Sequence, residues 1–172
     1  RQGWRCLPLP LQRVTDWFSN KAEPQGDTTA LMAQQTAGEA IRLKGSDGHE
    51  LDAYLARPQG TPKAGLIVCQ EVFGVNEHIR EVADGFARDG YLTIAPALFD
   101  RIERGVELEY GPDGLDRGRS IRGQIDWDEI ALDIEAAIAK LRSELGQDAK
   151  VGVVGYAWGG AVAWRSEEHT SE

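Results

Sequence analysis

The sequence predicts an α/β fold, a β-hairpin followed by a parallel β-α-β-α-β run. Three observations point to it. Short apolar runs at Ala64–Cys69, Tyr91–Ala95 and Lys150–Val154 have the character of strands buried on both faces. Two segments with helical apolar spacing separate those runs. The length, 172 residues, suits one domain and is too short for two comfortable ones.

The elements follow in order. Ile41 and Leu43 alternate with charged neighbours, as do Leu51, Ala53 and Leu55, and Ser46-Asp47-Gly48 between them has turn chemistry. That pattern is a hairpin. After the loop Arg57–Pro62 comes the first buried strand, then a helix over His78–Asp89 with Ile79, Val82, Ala83, Phe86 and Ala87 on one face. Gly90 suits its C-terminal end. The second strand stops at Pro96. Residues 100–124 are rich in glycine and charge and are expected to form a long excursion loop, functional or mobile. A helix over Trp127–Leu145 follows, with Trp127, Ile130, Ile134, Ile138, Leu141 and Leu145 stepping by three or four. Asp126 and Glu129 supply a capping box and Gly146 a stop. The third strand leads straight into Gly155-Tyr156-Ala157-Trp158-Gly159-Gly160.

Composition excludes several classes. The formal charge of −9 argues against a nucleic-acid partner, since phosphate binding needs surplus Lys and Arg. No apolar run reaches the ~18 residues of a membrane span. Cys6 and Cys69 are too few for a disulfide framework or a cysteine-rich zinc site, and His49, His78 and His169 form no close ligand pattern. With no targeting segment, the expected location is the cytoplasm.

The two ends look foreign to the middle. Residues 1–31 precede the first methionine, Met32, and show no helical or alternating period; Pro8 and Pro10 interrupt their only apolar stretch. They are expected to be a disordered or non-native extension, with Met32 as the start. Residues 165–172, Arg-Ser-Glu-Glu-His-Thr-Ser-Glu, match the in-frame translation of a common sequencing-library adapter. The natural sequence is therefore expected to stop at Trp164, leaving 32–164 as a partial domain and about one turn of helix, Gly160–Trp164. A parallel strand edge is then left open to association, and the 172-residue product is expected to be poorly soluble or only partly folded.

Two constellations carry chemistry. Gly155-Tyr156-Ala157-Trp158-Gly159 fits a Gly-x-nucleophile-x-Gly elbow between a buried strand and a helix. The central residue of such a strained turn needs small neighbours two positions away, and the following N–H groups face a developing oxyanion. Ser, Cys or Asp belongs there; this chain has Ala157. A dinucleotide loop needs Gly-x-Gly-x-x-Gly, which Gly152, Gly155, Gly159 and Gly160 do not supply. Glycines serving close packing alone remain a further possibility. The second constellation is Gln70-Glu71-Val72-Phe73-Gly74-Val75-Asn76, at the carboxyl edge of the first parallel strand, where ligand loops gather. Glu71 is either a pocket carboxylate or the cap of the next helix. Arg80 either pairs with Glu71 or lies on a solvated face. Cys69 is far better read as a buried structural thiol than as a displaced nucleophile.

These residues resemble a known family. Cys69–Asn76, then Ile79-Arg80-Glu81, Asp89-Gly90-Tyr91, Ala95–Phe99 and Val151–Gly160 are similar to dienelactone hydrolases (carboxymethylenebutenolidases), of the α/β-hydrolase fold, over roughly Glu39 to Trp164. The resemblance implies the N-terminal part of that fold, incomplete after the nucleophile elbow, and a cysteine hydrolase acting on small lactones or related esters, without cofactor or metal. It puts the thiol nucleophile at Ala157 and a carboxylate that controls the thiol's ionisation at Glu71. It puts the oxyanion hole at the backbone N–H groups of Val72 and Trp158. With Ala157 no covalent catalysis is available. The fold's acid and histidine follow the nucleophile, but only twelve residues follow Gly160, and His169 lies too close to the elbow to serve. His49 and His78 are expected to be solvated. Arg101, Arg104, Arg117 and Arg119 are unranked candidates for holding a substrate carboxylate. The expectation is thus a lactone or ester hydrolase fragment, inactive as written. The competing readings are a non-catalytic small-molecule binding module of the same fold and an unrelated flavodoxin-like binding domain.

Overall fold

The structure is a computed structural model that describes residues 38–170. The chain divides into Arg1–Gln35 and Thr36–Glu172, and every described residue belongs to the second unit. The expectations for residues 1–31, Cys6 and Met32 lie outside the described residues.

The hairpin is β1 (Glu39–Lys44) and β2 (Glu50–Ala56), paired so that Leu43 faces Leu51. Its turn closes because the Gly45 N–H donates to the His49 carbonyl (2.8 Å) and Asp47 Oδ1 accepts the His49 N–H (3.2 Å). Next come β3 (Gly65–Cys69), α1 (Glu77–Arg88), β4 (Leu92–Pro96), a 3-10 turn (Leu98–Arg101), α2 (Pro112–Arg122), α3 (Trp127–Leu145), β5 (Val151–Gly155) and α4 (Trp158–Thr170).

The strands make one mixed sheet ordered β1-β2-β4-β3-β5. β2 runs antiparallel to β4, while β4, β3 and β5 are mutually parallel. Helices cover both faces, as parallel strands require. Val68, Ala95 and Val154 pack toward Ile79 and Val82 of α1. On the opposite face, Gly65 lies against Leu141 and Leu145 of α3. Leu51, Leu55, Ile67, Ile94, Leu98, Phe99, Ile134 and Leu141 are fully buried between the layers.

Local chemistry accounts for the helix ends. Asn76 Oδ1 accepts the Ile79 N–H at the start of α1 (3.2 Å). Asp126 and Glu129 form the capping box of α3, and Gly146 ends that helix.

Two expectations need correction. Residues 100–124 are not one long loop: the 3-10 turn opens them and α2 fills their second half. Pro112 occupies the first helical position, with Asp113 in the first turn and Arg119 and Arg122 in the last, matching the helix dipole. The elbow helix also exceeds one turn. After Gly160 no Gly or Pro interrupts the chain, and α4 runs to Thr170. Within it, Ser166 is buried and its Oγ donates to the Val162 carbonyl (2.8 Å).

Candidate active site

β3 and β5 are register partners, Cys69 against Gly155. Two residues beyond each lie Glu71 and Ala157, so the two constellations emerge side by side at the carboxyl edge of the sheet.

The elbow is a tight turn. Ala157 has φ +49°, the one non-glycine left-handed residue among the described residues, and it is exposed. The Gly159 N–H donates to the Tyr156 carbonyl (2.8 Å) and the Gly160 N–H to the Ala157 carbonyl (3.1 Å). The glycines are needed on contact grounds. A Cβ on Gly155 would lie 1.8 Å from the Gly159 oxygen, and one on Gly159 would lie 2.4 and 2.5 Å from the Cys69 and Gln70 oxygens. The elbow is therefore seated directly on the end of β3.

The facing loop is fixed from below by Gln70, which is buried. Its Oε1 accepts the Leu98 N–H (2.9 Å) and its Nε2 donates to the Glu71 carbonyl (3.2 Å). α2 lies on top of the loop, since a Cβ on Gly118 would sit 1.8 Å from the Val72 oxygen. Among the described residues the Val72 N–H has no backbone partner in the turns and loops. The Trp158 N–H opens α4, where helix geometry leaves the first donors unpaired.

Glu71 is half-buried, and its Oε2 accepts a hydrogen bond from the Tyr110 hydroxyl (2.7 Å). Burial, then the hydrogen bond to Glu71, raises the Tyr110 phenol above its ordinary value. Burial and the charge of Glu71 do the same to Tyr156. Two protonated phenols thus border the carboxylate. Sequence reasoning missed Tyr110; an aromatic within a charged, glycine-rich excursion was the available signal.

Other sequence expectations are now placed. Glu71 is not a helix cap, because Asn76 fills that role. Arg80 does not pair with Glu71; on a partly solvated face of α1 it donates to the exposed Glu107 (2.8 Å) and to the Val75 carbonyl (2.8 Å). Cys69 is fully buried and its thiol is pushed up to about 12 by desolvation, so it is no nucleophile at neutral pH. His49 is not solvated as expected: its Nε2 is buried without a hydrogen-bond partner. His78 is half-buried, edge-on to Tyr110 at 6.2 Å. The side chain of His169 lies outside the described residues.

Of the four arginines, Arg101 is buried against Asp133 and Asp47, Arg104 reaches Asp52, Asp100 and the Glu50 carbonyl, and Arg117 pairs with Glu103. Arg119 is exposed and has no acidic partner among the described residues; it follows Gly118, over the Val72 carbonyl. The Trp158 ring stacks on Phe99 at 5.5 Å and borders a cavity of ≈ 220 Å³ with Arg122, Ile125, Trp127 and Ile130. Among the described residues no three His, Cys, Asp or Glu side chains group as metal ligands, and no helix is long and apolar enough to cross a membrane.

A sheet of this order, with a left-handed elbow between β5 and α4 beside the β3 loop, defines an α/β hydrolase. Comparison with known proteins gives the family. The model of the dienelactone hydrolase family matches residues 51–172, and the chain belongs to that family. It is 38% identical over 117 residues to a Synechocystis protein classed as a carboxymethylenebutenolidase, covering 67% of this chain and 48% of that one. It is 33% identical over 128 residues to the carboxymethylenebutenolidase of Pseudomonas putida, covering 73% and 54%. A crystal structure from Klebsiella pneumoniae classed with the dienelactone hydrolases superposes with a TM-score of 0.60 at 31% identity, covering 76% and 54%. The chain spans about half the length of the curated relatives it matches. The flavodoxin-like alternative is set aside by this family assignment and by the antiparallel β2–β4 pairing.

Proposed function

We propose that this chain carries the acyl-binding half of a cytoplasmic lactone or ester hydrolase and is without turnover as it stands. The observation that carries this is Ala157, which holds the exposed, left-handed elbow position with a methyl group. A lactone carbonyl seated over Ala157 would point its oxygen at the Val72 and Trp158 N–H groups. Such donors favour a tetrahedral oxyanion over a planar carbonyl. Without a thiol or hydroxyl at 157 no acyl-enzyme forms, and the ester stays intact. Glu71 is the carboxylate that would govern a thiol at that position. Arg119 is the cation we assign to a substrate carboxylate, since the other three candidates are engaged by acids. No cofactor enters this scheme, and neither nucleic acid nor membrane is a partner in it.

The test uses p-nitrophenyl acetate and a carboxylate-bearing butenolide. The parent chain should hydrolyse both no faster than buffer. Turnover abolished by a thiol reagent would overturn the reading of Ala157. Ala157→Cys with Glu71→Gln in a Cys6→Ser background, which lifts the carboxylate's hold on the thiol, should gain an acetyl thioester at 157 at alkaline pH, visible by mass spectrometry. A folded chain of that kind that stays unacylated removes the elbow assignment. The second reading, a non-catalytic binding module, is favoured by the same observation, because the elbow's conformation persists without a nucleophile. It requires saturable binding of the butenolide by the parent chain, weakened by Arg119→Gln.

A further inference from the structure

The excursion between the 3-10 turn and α2 delivers one side chain to the site, and its backbone is held by contacts independent of that side chain. The Leu108 N–H donates to the Phe73 carbonyl (2.9 Å), and Gly74 bridges to Glu107. Arg80 clamps Glu107 from α1. The approach at Gly74 leaves no room for a side chain, since a Cβ there would lie 1.9 Å from the Val106 oxygen. On the other flank, a Cβ on Gly114 of α2 would lie 2.0 Å from the Glu109 oxygen. Residues 106–109 are thus sandwiched between the Phe73–Gly74 loop and α2. Tyr110 follows at once, with its ring on Phe73 at 4.4 Å. Its hydroxyl is a donor whose position is set before Glu71 meets it. Among the described residues no other side chain donates to the Glu71 carboxylate, the Gln70 amide reaching only its backbone carbonyl.

We propose that Tyr110 is a positioning residue for Glu71, holding Oε2 so that Oε1 is left for the side chain at position 157. This rests on the site reading given above. A carboxylate with one oxygen anchored presents a single acceptor in a fixed direction, whereas a half-buried glutamate without an anchor samples several rotamers. The carboxylate so held would keep a thiol at 157 protonated by like-charge repulsion of the thiolate.

Two measurements test this, and they separate the contact from the site reading. The first uses the chain as it exists. The absorbance titration of Tyr110, isolated as the difference between the parent and Tyr110→Phe, should shift toward the ordinary phenol value of 10.0 on Glu71→Gln. An unmoved midpoint overturns the proposal, since the phenol would not be facing that carboxylate. The second uses Ala157→Cys in the Cys6→Ser background and follows iodoacetamide alkylation against pH. Adding Tyr110→Phe, which keeps the ring on Phe73, should lower the alkylation midpoint by about half a unit or more. The shift should vanish when Glu71→Gln is already present. A shift of the same size with and without Glu71 marks a merely structural tyrosine and overturns the proposal. If Glu71→Gln leaves the thiol's profile unchanged while the phenol titration does move, the contact exists but Glu71 does not serve the elbow. In that case both the positioning role and the site reading fall. Circular dichroism melts on each variant establish that every profile comes from folded protein.

Discussion

Two regions at the same edge of the sheet are held in opposite ways. At the hairpin end, Arg101 bridges three elements through charge. Its Nε and Nη2 donate to the two oxygens of Asp133 on α3 (3.1 and 2.7 Å), and its Nη1 donates to Asp47 in the β1–β2 turn (2.6 Å). The Asp133 side chain is wholly buried and that of Arg101 is 6% exposed. At the elbow end, no ion pair among the described residues holds the turn. Backbone contact between Gly159 and the end of β3 does the holding, and the residue on display is a methyl group. The comparison teaches that a carboxyl-edge arginine can belong to the scaffold, while the neighbouring turn is shaped by backbone contact and keeps its left-handed form with only a methyl group at its tip.

The largest effect should come from breaking the charged region. Burial raises Asp133 above its ordinary value, and the Arg101 hydrogen bonds pull it back. For Arg101, burial opposes the charge, but Asp133 and Asp47 more than offset it and leave the guanidinium above its ordinary value. Arg101→Met would strand a buried carboxylate, costing about 3–5 kcal/mol. Asp133→Leu added to Arg101→Met should recover most of that loss, because two apolar side chains replace a desolvated pair. Urea unfolding of the two single variants and the double one reads this directly. Additive losses would show that the pair is not coupled.

The elbow should respond in both directions. Gly155→Ala places a Cβ 1.8 Å from a backbone oxygen, and neither strand nor helix can yield, so a loss of about 3 kcal/mol is expected. Ala157→Gly should do the reverse. Relief of the left-handed alanine is worth ~1–2 kcal/mol, and the freer unfolded chain takes back ~1, leaving a gain of about 0.5 kcal/mol. The same melts check both. A loss at Ala157→Gly would mean that φ +49° is not the relaxed shape of this turn.

These contrasts also explain what was legible in the sequence. The hairpin, three core strands, α1, α3 and the elbow were readable because each repeats a local rule: alternation, helical spacing, a capping box, glycines flanking a turn. Glu71 and Ala157 were found as two separate signals, and the parallel register of β3 and β5 puts them together. α2 escaped because its glycines read as loop formers. Gly114 and Gly118 instead let the helix lie on the Glu109 and Val72 carbonyls, a reason that exists only in three dimensions. Asp133 escaped likewise. It sits on the buried face of α3 beside Ile130, Ile134 and Ala137, where only a partner 32 residues away makes a carboxylate tolerable. Tyr110 carried no periodic signal at all.

The smallest expected effect lies at the opposite edge of the sheet and marks how little an exposed pair contributes beside the Arg101 network. Arg57, just past β2, reaches Glu39 on β1 and Glu144 in the last turn of α3, and Lys140 also pairs with Glu144 (2.9 Å). The hydrogen bond from Arg57, with a lesser contribution from Lys140, holds Glu144 down to about 2 from its ordinary 4.5. A carboxylate lowered in the folded state contributes stability above its unfolded value. That contribution is lost as pH falls from 4.5 toward about 2. Arg57 is half exposed, so water and salt screen most of the interaction, and Glu144→Gln should cost below ~1 kcal/mol at pH 7. The sharper readout is the slope of stability with pH. Below pH 4.5 the parent should lose stability more steeply than Glu144→Gln, and 0.5 M salt should narrow the gap by shortening the screening length to ~4 Å. Parallel acid limbs for the two proteins would show that Glu144 is free in solution, and that the acid sensitivity of this fold resides elsewhere.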